Sequence, residues 1–551
     1  MILRLVWRSL VRKPGRSLLL LAGYALGVGV TLTLLSIGSA LLESSRDRAL
    51  VGGGDLTVLP EGLDLETFRT GGVSSLYFTV DQAPFLHRQV LEGPRLADAV
   101  AAAAPWMEDQ LLHLEREDGL QAVSADGMIP SRAAALGVSP RLVEGEWSDA
   151  AADRRWLAPS DSALYAGIDA FHLPPPAARG DSTWAEWHYF NVRLPEDRGW
   201  LYLTYMVAGQ VPDGRWGGRM LATLVERTGG RERNRAGERD PGERGGSAGA
   251  GATAPPGGRD RWRVRTFRTD VPAAEVTFHL DRPDLDVGRS RVRLGPEGIY
   301  RIEARVPRAG DEEPGRPDGG AIAAPGPPDL RVELDLRPDG RRYLPPLEVA
   351  GGSFPSGYTV PVLRGRASGR VCVGDACRGV EDARAYHDHN WGVWRDVTWE
   401  WGQATAGPWA LVYGGVRRDG PAGPSFLFLT DSLGFAGLLP IGSVEVRRPS
   451  GAGPGAAPEG LSVAAGRRAD SLLLTIDVRH ARTSLREGQA AEGDGTRPAS
   501  AAADRFHQLY GDLRLEGRLR GEPVAADGAG FFETWSRGEE TGAGEGGAGG
   551  G

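Results

Sequence analysis

From residue 184 onward, apolar and polar positions alternate in short runs. "RGWLYLTYMVAGQV" (198–211), "RWRVRTFR" (261–268), "AEVTFHLD" (274–281), "GIYRIEARV" (298–306) and "LRVELDLRP" (330–338) carry the pattern first. "ALVYGGVRR", "SFLFLTD", "SVEVRRP", "LLLTIDVRH" and "GDLRLEGRLRG" continue it to residue 521. A period of two is the mark of a half-buried strand. The connections are too short for crossover helices, so the strands should pair antiparallel and close as a barrel or sandwich. Residues 43–165 have a different texture, and "PRLADAVAAAAPWMEDQLLHLERE" (94–117) has helix-forming composition interrupted by Pro105. A small α+β region is expected there.

The N-terminus follows a third pattern. Residues 17–42, "SLLLLAGYALGVGVTLTLLSIGSALL", run for 26 positions without a charge, where a membrane span needs about 20. Arg4, Arg8, Arg12, Lys13 and Arg16 precede the run, and only Arg46 and Arg48 follow closely. That asymmetry places residues 1–16 in the cytoplasm and everything after 43 outside, in a single-pass membrane protein. A signal peptide is the rival reading. Its apolar core should be about 7–15 residues, shorter than this run, although "SIGSALL" offers small residues for cleavage. Gly23 and Gly27 form a G-x-x-x-G pair that could seat another helix.

Composition narrows the class further. The chain has 551 residues, enough for about three or four units. Yet 80 Gly and 39 Pro gather in islands at 228–261, 308–328, 450–459, 487–503 and the tail 537–551, which cannot offset their ordering entropy. A net charge of −8 with mixed signs gives no nucleic-acid footprint. Fifteen tryptophans suggest a hydrophobic ligand or surface. The two cysteines, Cys372 and Cys377 in "CVGDAC", suit either a disulfide across a tight hairpin or two separate thiols. An extracytoplasmic location favours the disulfide.

Candidate chemistry concentrates in "WAEWHYFNVRL" (184–194) and "AYHDHNWGVWRDVTWEWG" (385–402). Alternate residues of a strand share a face. Tyr386, Asp388 and Asn390 therefore lie together, with His387 and His389 opposite. In an aromatic-lined interior, desolvation would keep the Asp388 carboxyl protonated near neutral pH, able to protonate even an alkene. Aromatic faces would stabilise the resulting cation. Two alternatives stay open. His387 and His389 could bind a metal with His188 as third ligand, or the imidazoles could be half-exposed while Asp388 and Asn390 close a hydrogen-bond network across strands. For lack of a further ligand cluster, no metal and no cofactor are expected. No phosphate loop, dinucleotide fingerprint or nucleophile elbow is present.

Two resemblances add to this reading. "WRSLVRKPGRSLLLLAGYALGVGV", "GGGDLTVLPEG" (52–62) and "SSLYFTVDQAPFLHRQV" (74–90) resemble the start of FtsX/MacB-type ABC-transporter permeases over roughly residues 1–165. No later apolar run is long enough for a second span, so the segment reads as an anchor that could dock with transporter subunits. "EWHYFN" (186–191), "YHDHNWG" (386–392), "WEWGQ" (399–403) and "GFFETW" near 530 resemble the AttH-like lipocalin family, which includes the carotenoid hydratases. The resemblance covers about 180–536 and implies two consecutive lipocalin-like antiparallel β-barrel halves around an apolar cavity. It implies Asp388 as the acid of a hydro-lyase or cyclase, assisted by Tyr386 and Asn390. Trp187, Tyr189, Asn191, Tyr358, Trp391, Trp399 and Trp401 would line the site for an isoprenoid or acyl ligand. Where the hydratases carry an assisting His-x-Trp pair, this chain has Ser356 and Tyr358. The alternative function is a non-catalytic lipid-binding or chaperone subunit of an ABC transporter.

Overall fold

The computed structural model describes residues 15, 22–38, 82–117, 119–137, 148–195, 198–228, 261–307, 329–349, 356–394, 397–417, 425–452, 455–485 and 505–536. The basic N-terminal segment, "GGGDLTVLPEG", most of three of the Gly/Pro-rich islands and the tail lie outside these residues. The island at 450–459 is largely described and forms a turn between two strands. The described residues fall into two units, one drawn from 1–83 and 98–154, the other from 84–97 and 155–551.

In the first unit, α1 (22–38) presents Tyr24, Leu26, Leu32, Leu34 and Leu35 bare. Among the described residues no helix is long and apolar enough to cross a membrane, so the expected span at 17–42 is not shown. Both ends of that segment lie outside the described residues. The helix-like composition of 94–117 misleads. Trp106–Arg116 is strand β1, paired antiparallel with β2, Gly119–Met128. Each strand satisfies its partner's backbone groups, and that ladder outweighs the helix preference of the Leu-rich run. A short helix, α2 (Pro130–Ala135), follows with Pro at its first position, where a missing N–H costs nothing.

The second unit takes in 84–97 and begins at 155, so helix α3 (Asp161–Ile168) joins the β-structure instead of the N-terminal region. Ser160 caps α3 by accepting from the Ala163 N–H, 3.2 Å. The strands of the first sheet are β3 (Trp184–Leu194), β4 (Gly199–Gly209), β5 (Trp216–Thr228), β6 (Arg261–Pro272), β7 (Val276–Phe278), β8 (Leu285–Val287), β9 (Ser290–Leu294), β10 (Tyr300–Val306), β11 (Leu330–Pro338), β12 (Leu344–Val349), β13 (Ser356–Val373) and β14 (Ala376–Val393). Their order is 6-5-4-3-14-13-11-10-9-8-7, with β12 against β13. The sheet curls on itself, bringing β8 onto β4 and β5 and β10 onto β5 and β6.

The remaining strands form a closed barrel in chain order. They are β15 (Thr398–Ala406), β16 (Trp409–Arg417), β17 (Phe426–Asp431), β18 (Gly434–Arg447), β19 (Gly460–Arg467), β20 (Asp470–Leu485), β21 (Arg505–Leu519) and β22 (Glu522–Ser536). The described residues are therefore mainly β, in two barrel-like sheets that fit the expected lipocalin-like halves.

Each half has its own apolar core. Phe190, Leu203, Tyr205, Tyr300 and Ile302 fill the first, and Leu411, Leu429, Val463, Ile476, Leu515 and Phe532 fill the barrel. A third cluster sits between them, where Trp200 and Tyr202 of β4 meet Tyr510 of β21 and Phe531 of β22.

One polar group inside the barrel gives a pH prediction. His507 is fully buried and bonds through its ring nitrogens to Thr483 Oγ1 (2.9 Å) and Ser536 Oγ. Burial, then the charges of Arg448 and Arg505, push its pKa down to about 4. The unfolded chain therefore takes up this proton more readily. The stability His507 contributes is complete above about pH 6.5 and is lost as pH falls through about 4, at no more than about 1.4 kcal/mol per pH unit. The Tm gap between wild type and His507→Gln should shrink on acidification from pH 7 to 4. A gap that is constant or widens refutes this.

Candidate functional site

Strand β14 carries chemistry on both faces. Tyr386, Asp388 and Asn390 pair in register with Asn191, Tyr189 and Trp187 of β3. Their common face looks toward the outer wall of the barrel, where β15 contributes Trp399 and Trp401 and β22 contributes Glu533. Gly392, one residue before the end of the strand, has φ +137°, and a Cβ there would lie 2.1 Å from Ser356 Oγ. Glycine lets β13 close against the motif, and Ser356 Oγ accepts from the Val393 N–H at 3.2 Å.

Asp388 is buried, with 4% of its surface exposed. Asn390 Nδ2 donates to its Oδ1 at 2.7 Å, and the Tyr386 hydroxyl lies beside it. Burial, reinforced by the nearby Glu533 carboxyl, outweighs the help of Tyr386 and Asn390 and pushes the Asp388 pKa up to about 8. Burial also raises the pKa of Glu533, which accepts from Trp399 Nε1 (2.8 Å) and Gln508 Nε2 (3.4 Å). The Tyr386 hydroxyl, Asn191 Nδ2 and Trp401 Nε1 are buried without a well-formed hydrogen bond. Aromatic rings surround the group. Tyr189 stacks on Tyr202 at 5.8 Å, Tyr358 lies edge-on to Trp401 at 5.2 Å and stacks on Phe426 at 5.5 Å.

The opposite face is equally covered. His387 and His389 point into the first half and are fully buried, as is His188 of β3. The half-exposed position open to both imidazoles is therefore excluded. Asp169, directly after α3, meets them. Its Oδ2 accepts from Tyr300 Oη (2.8 Å) and His387 Nε2 (2.9 Å), and its Oδ1 from His389 Nδ1 (3.0 Å). His389 Nε2 donates to Glu186 Oε1 at 2.8 Å, and the backbone N–H and Nδ1 of His172 bond to the same oxygen. Burial works against charge on Asp169, but the His387 imidazole and the bonds it receives hold its pKa far below the usual carboxylate range. Burial likewise opposes charge on His389, yet its bonds to Asp169 and Glu186 push it up to about 9. Burial drives His188 far down, leaving a neutral ring.

Most of the residues singled out from sequence come together. Tyr386, Asp388, Asn390, Tyr189, Asn191, Trp187, Tyr358, Trp399 and Trp401 gather at the seam between the halves. Trp391 does not. It shares the parity of the histidines and stacks on the His172 ring, centroids 4.0 Å apart. Cys372 and Cys377 form a disulfide closing the β13–β14 hairpin. Sequence reasoning missed Asp169, Glu186, His172 and Glu533. For Glu533 a signal existed: in "FFETW" it is the one acid on a face shared with Phe531 and Trp535. A groove of about 450 Å³ also opens among β18, β19, β20 and β21, lined by residues such as Ile441 and Leu473, and shares no residue with the seam.

No family model matches the chain, and no curated protein matches it in sequence. Among solved structures, the chain is similar to an AttH-type protein of Nitrosomonas europaea, at 15% identity and a TM-score of 0.38 over 67% of this chain and 98% of that one. Kievitone hydratase of Nectria haematococca is similar at 9% identity and 0.35, over 67% and 96%. CghA with Sch210972 is similar at 12% identity and 0.36, over 67% and 95%. These neighbours are AttH-like proteins of lipocalin-like barrel type, the resemblance that the two aromatic motifs led to, and none supports the permease-like N-terminus. Likeness this loose carries nothing about chemistry, which rests on the residues alone.

Proposed function

We propose that the seam between the two halves binds an unsaturated apolar ligand, isoprenoid or acyl, and that Asp388 is the acid that protonates it. One observation carries the reading. A buried carboxyl, held by Asn390, faces the part-buried Glu533 carboxyl among aromatic rings, and the Tyr386 hydroxyl, Asn191 Nδ2 and Trp401 Nε1 are enclosed there without a well-formed hydrogen bond. Buried polar atoms that lack partners are costly, and a polar atom of a ligand or an attacking water would satisfy them.

In this proposal the Asp388 proton moves to one carbon of an alkene, and the other becomes a cation facing the rings of Tyr189, Tyr358 and Trp401. Water adds to give an alcohol, or a second alkene adds to close a ring. The released proton returns to Asp388. A general acid contributes about 10²–10⁴-fold. Lipids retained by the purified full-length protein can be identified by mass spectrometry, then incubated with it in ¹⁸O-labelled water. Label in the product marks hydration; an isomeric product without label marks cyclisation. Asp388→Asn should cut either conversion by about that factor while the ligand is still retained. Retention without conversion by the wild type would leave the carrier function in place of the acid.

We also infer attachment to a membrane through residues 17–42, with the β-structure outside the cytoplasm. The uncharged run and the bare apolar surface of α1 support this reading. Release of the protein from membranes by alkaline carbonate, without detergent, counts against it. Co-purification with an ATPase or a full permease would support a transporter partner.

A further inference from the structure

We infer that Asp169, His188 and His389 form a buried site for a divalent transition-metal ion, zinc above all, inside the first half of the β-structure. The seam on the far face of β14 plays no part in this.

Three observations meet here. One ligand atom from each residue lies within 4.8 Å of the others, and all three side chains are fully buried. Asp169 Oδ1 stands 3.0 Å from His389 Nδ1 and 3.6 Å from His188 Nε2. Donors about 2.0–2.1 Å from one tetrahedral ion lie about 3.3 Å apart, so these separations bracket the requirement. The second observation is independent of that spacing. Neither ring nitrogen of His188 makes a well-formed hydrogen bond, although the ring is completely enclosed, with Asp169 as its polar neighbour and Phe171 at 4.7 Å. A buried imidazole without a well-formed hydrogen bond is rare, because an unsatisfied polar group costs about 1–3 kcal/mol. A metal on Nε2 would remove that cost.

The third observation is the outer support. Ligating histidines commonly donate their second N–H to a carboxylate, which fixes the ring and its tautomer. His389 does so, giving Nε2–H to Glu186 Oε1, while Nδ1 points at Asp169 and would exchange its proton for the ion. Asp169 is steadied in turn, since Tyr300 and His387 both occupy Oδ2 and leave Oδ1 turned toward the two imidazoles. Two imidazole nitrogens and one carboxylate oxygen suit zinc, and three protein donors would leave the fourth tetrahedral position to a water.

The full-length protein, purified from zinc-supplemented culture, should carry about one zinc per chain by elemental mass spectrometry. His188→Phe keeps the aromatic volume and removes the ligand, so occupancy should fall at least tenfold with the circular dichroism unchanged. Glu186→Gln should weaken zinc affinity by about 10–100-fold. If His188→Phe does not fold, the wild type refolded with Co²⁺ decides, through the visible bands of a tetrahedral nitrogen–oxygen site. His172→Ala should keep its metal. Loss of metal in His172→Ala with retention in His188→Phe would move the ion to His172, Glu186 and His389 and overturn these ligands. A wild type that holds no stoichiometric zinc or cobalt, as grown or as refolded, overturns the site.

Discussion

Asp169→Ala should lower unfolding stability by about 3–5 kcal/mol, the usual cost of removing one partner from a buried charged network. Asp169 is wholly enclosed, and its two oxygens serve Tyr300, His387 and His389. Alanine strands all three donors and leaves Glu186 as the only carboxylate bonded to His389 in the cluster. Asp169→Asn should fall between wild type and alanine, because the amide keeps the shape but turns an NH₂ group toward hydrogen-bond donors. Urea denaturation at neutral pH measures both variants. A loss under 1 kcal/mol for the alanine variant would mean that the cluster is not a fully desolvated network.

Trp200→Ala should be comparably damaging, by about 3–5 kcal/mol, with a different signature. Its indole is 1% exposed and packs between the halves, stacked on Tyr510 at 4.4 Å and close to Trp262 at 4.9 Å and Phe531 at 5.7 Å. Each half retains its own core when this ring is removed. Calorimetry should therefore show one transition for wild type splitting into two, whereas Phe532→Ala, inside the barrel, should lower the barrel transition directly. A single unsplit transition at the wild-type Tm for Trp200→Ala would show that the seam contributes little to cohesion.

Much of the architecture was legible because strand periodicity is local. Alternation located the strands after residue 184, and their short spacing implied the antiparallel meander that closes as a barrel. It also separated Tyr386, Asp388 and Asn390 from His387 and His389. What alternation cannot tell is whether a face is covered. Asp169 arrives from more than two hundred residues upstream, at the end of a helix that no strand pattern announces. The histidine face therefore reads as solvent-facing until its lid is known. Trp391 shows a simpler lapse, since its odd number already places it with the histidines. The β1 run failed for another reason: eleven residues of helical composition became a strand because a partner lay just across a tight turn.

With acid on one side and imidazoles on the other, β14 has no idle surface on which to absorb change. The strand carries one extra residue between Val380 and Ala383, with Asp382 at φ +46°, and losing it would leave both faces in place. One residue lost between 383 and 385 would exchange the two chemistries, sending Asp388 toward Asp169 and the histidines toward Glu533. Deleting two would restore parity. Beyond that bulge, tolerance to length changes should therefore follow odd and even counts, and neither site could be lost to an odd deletion while the other survived.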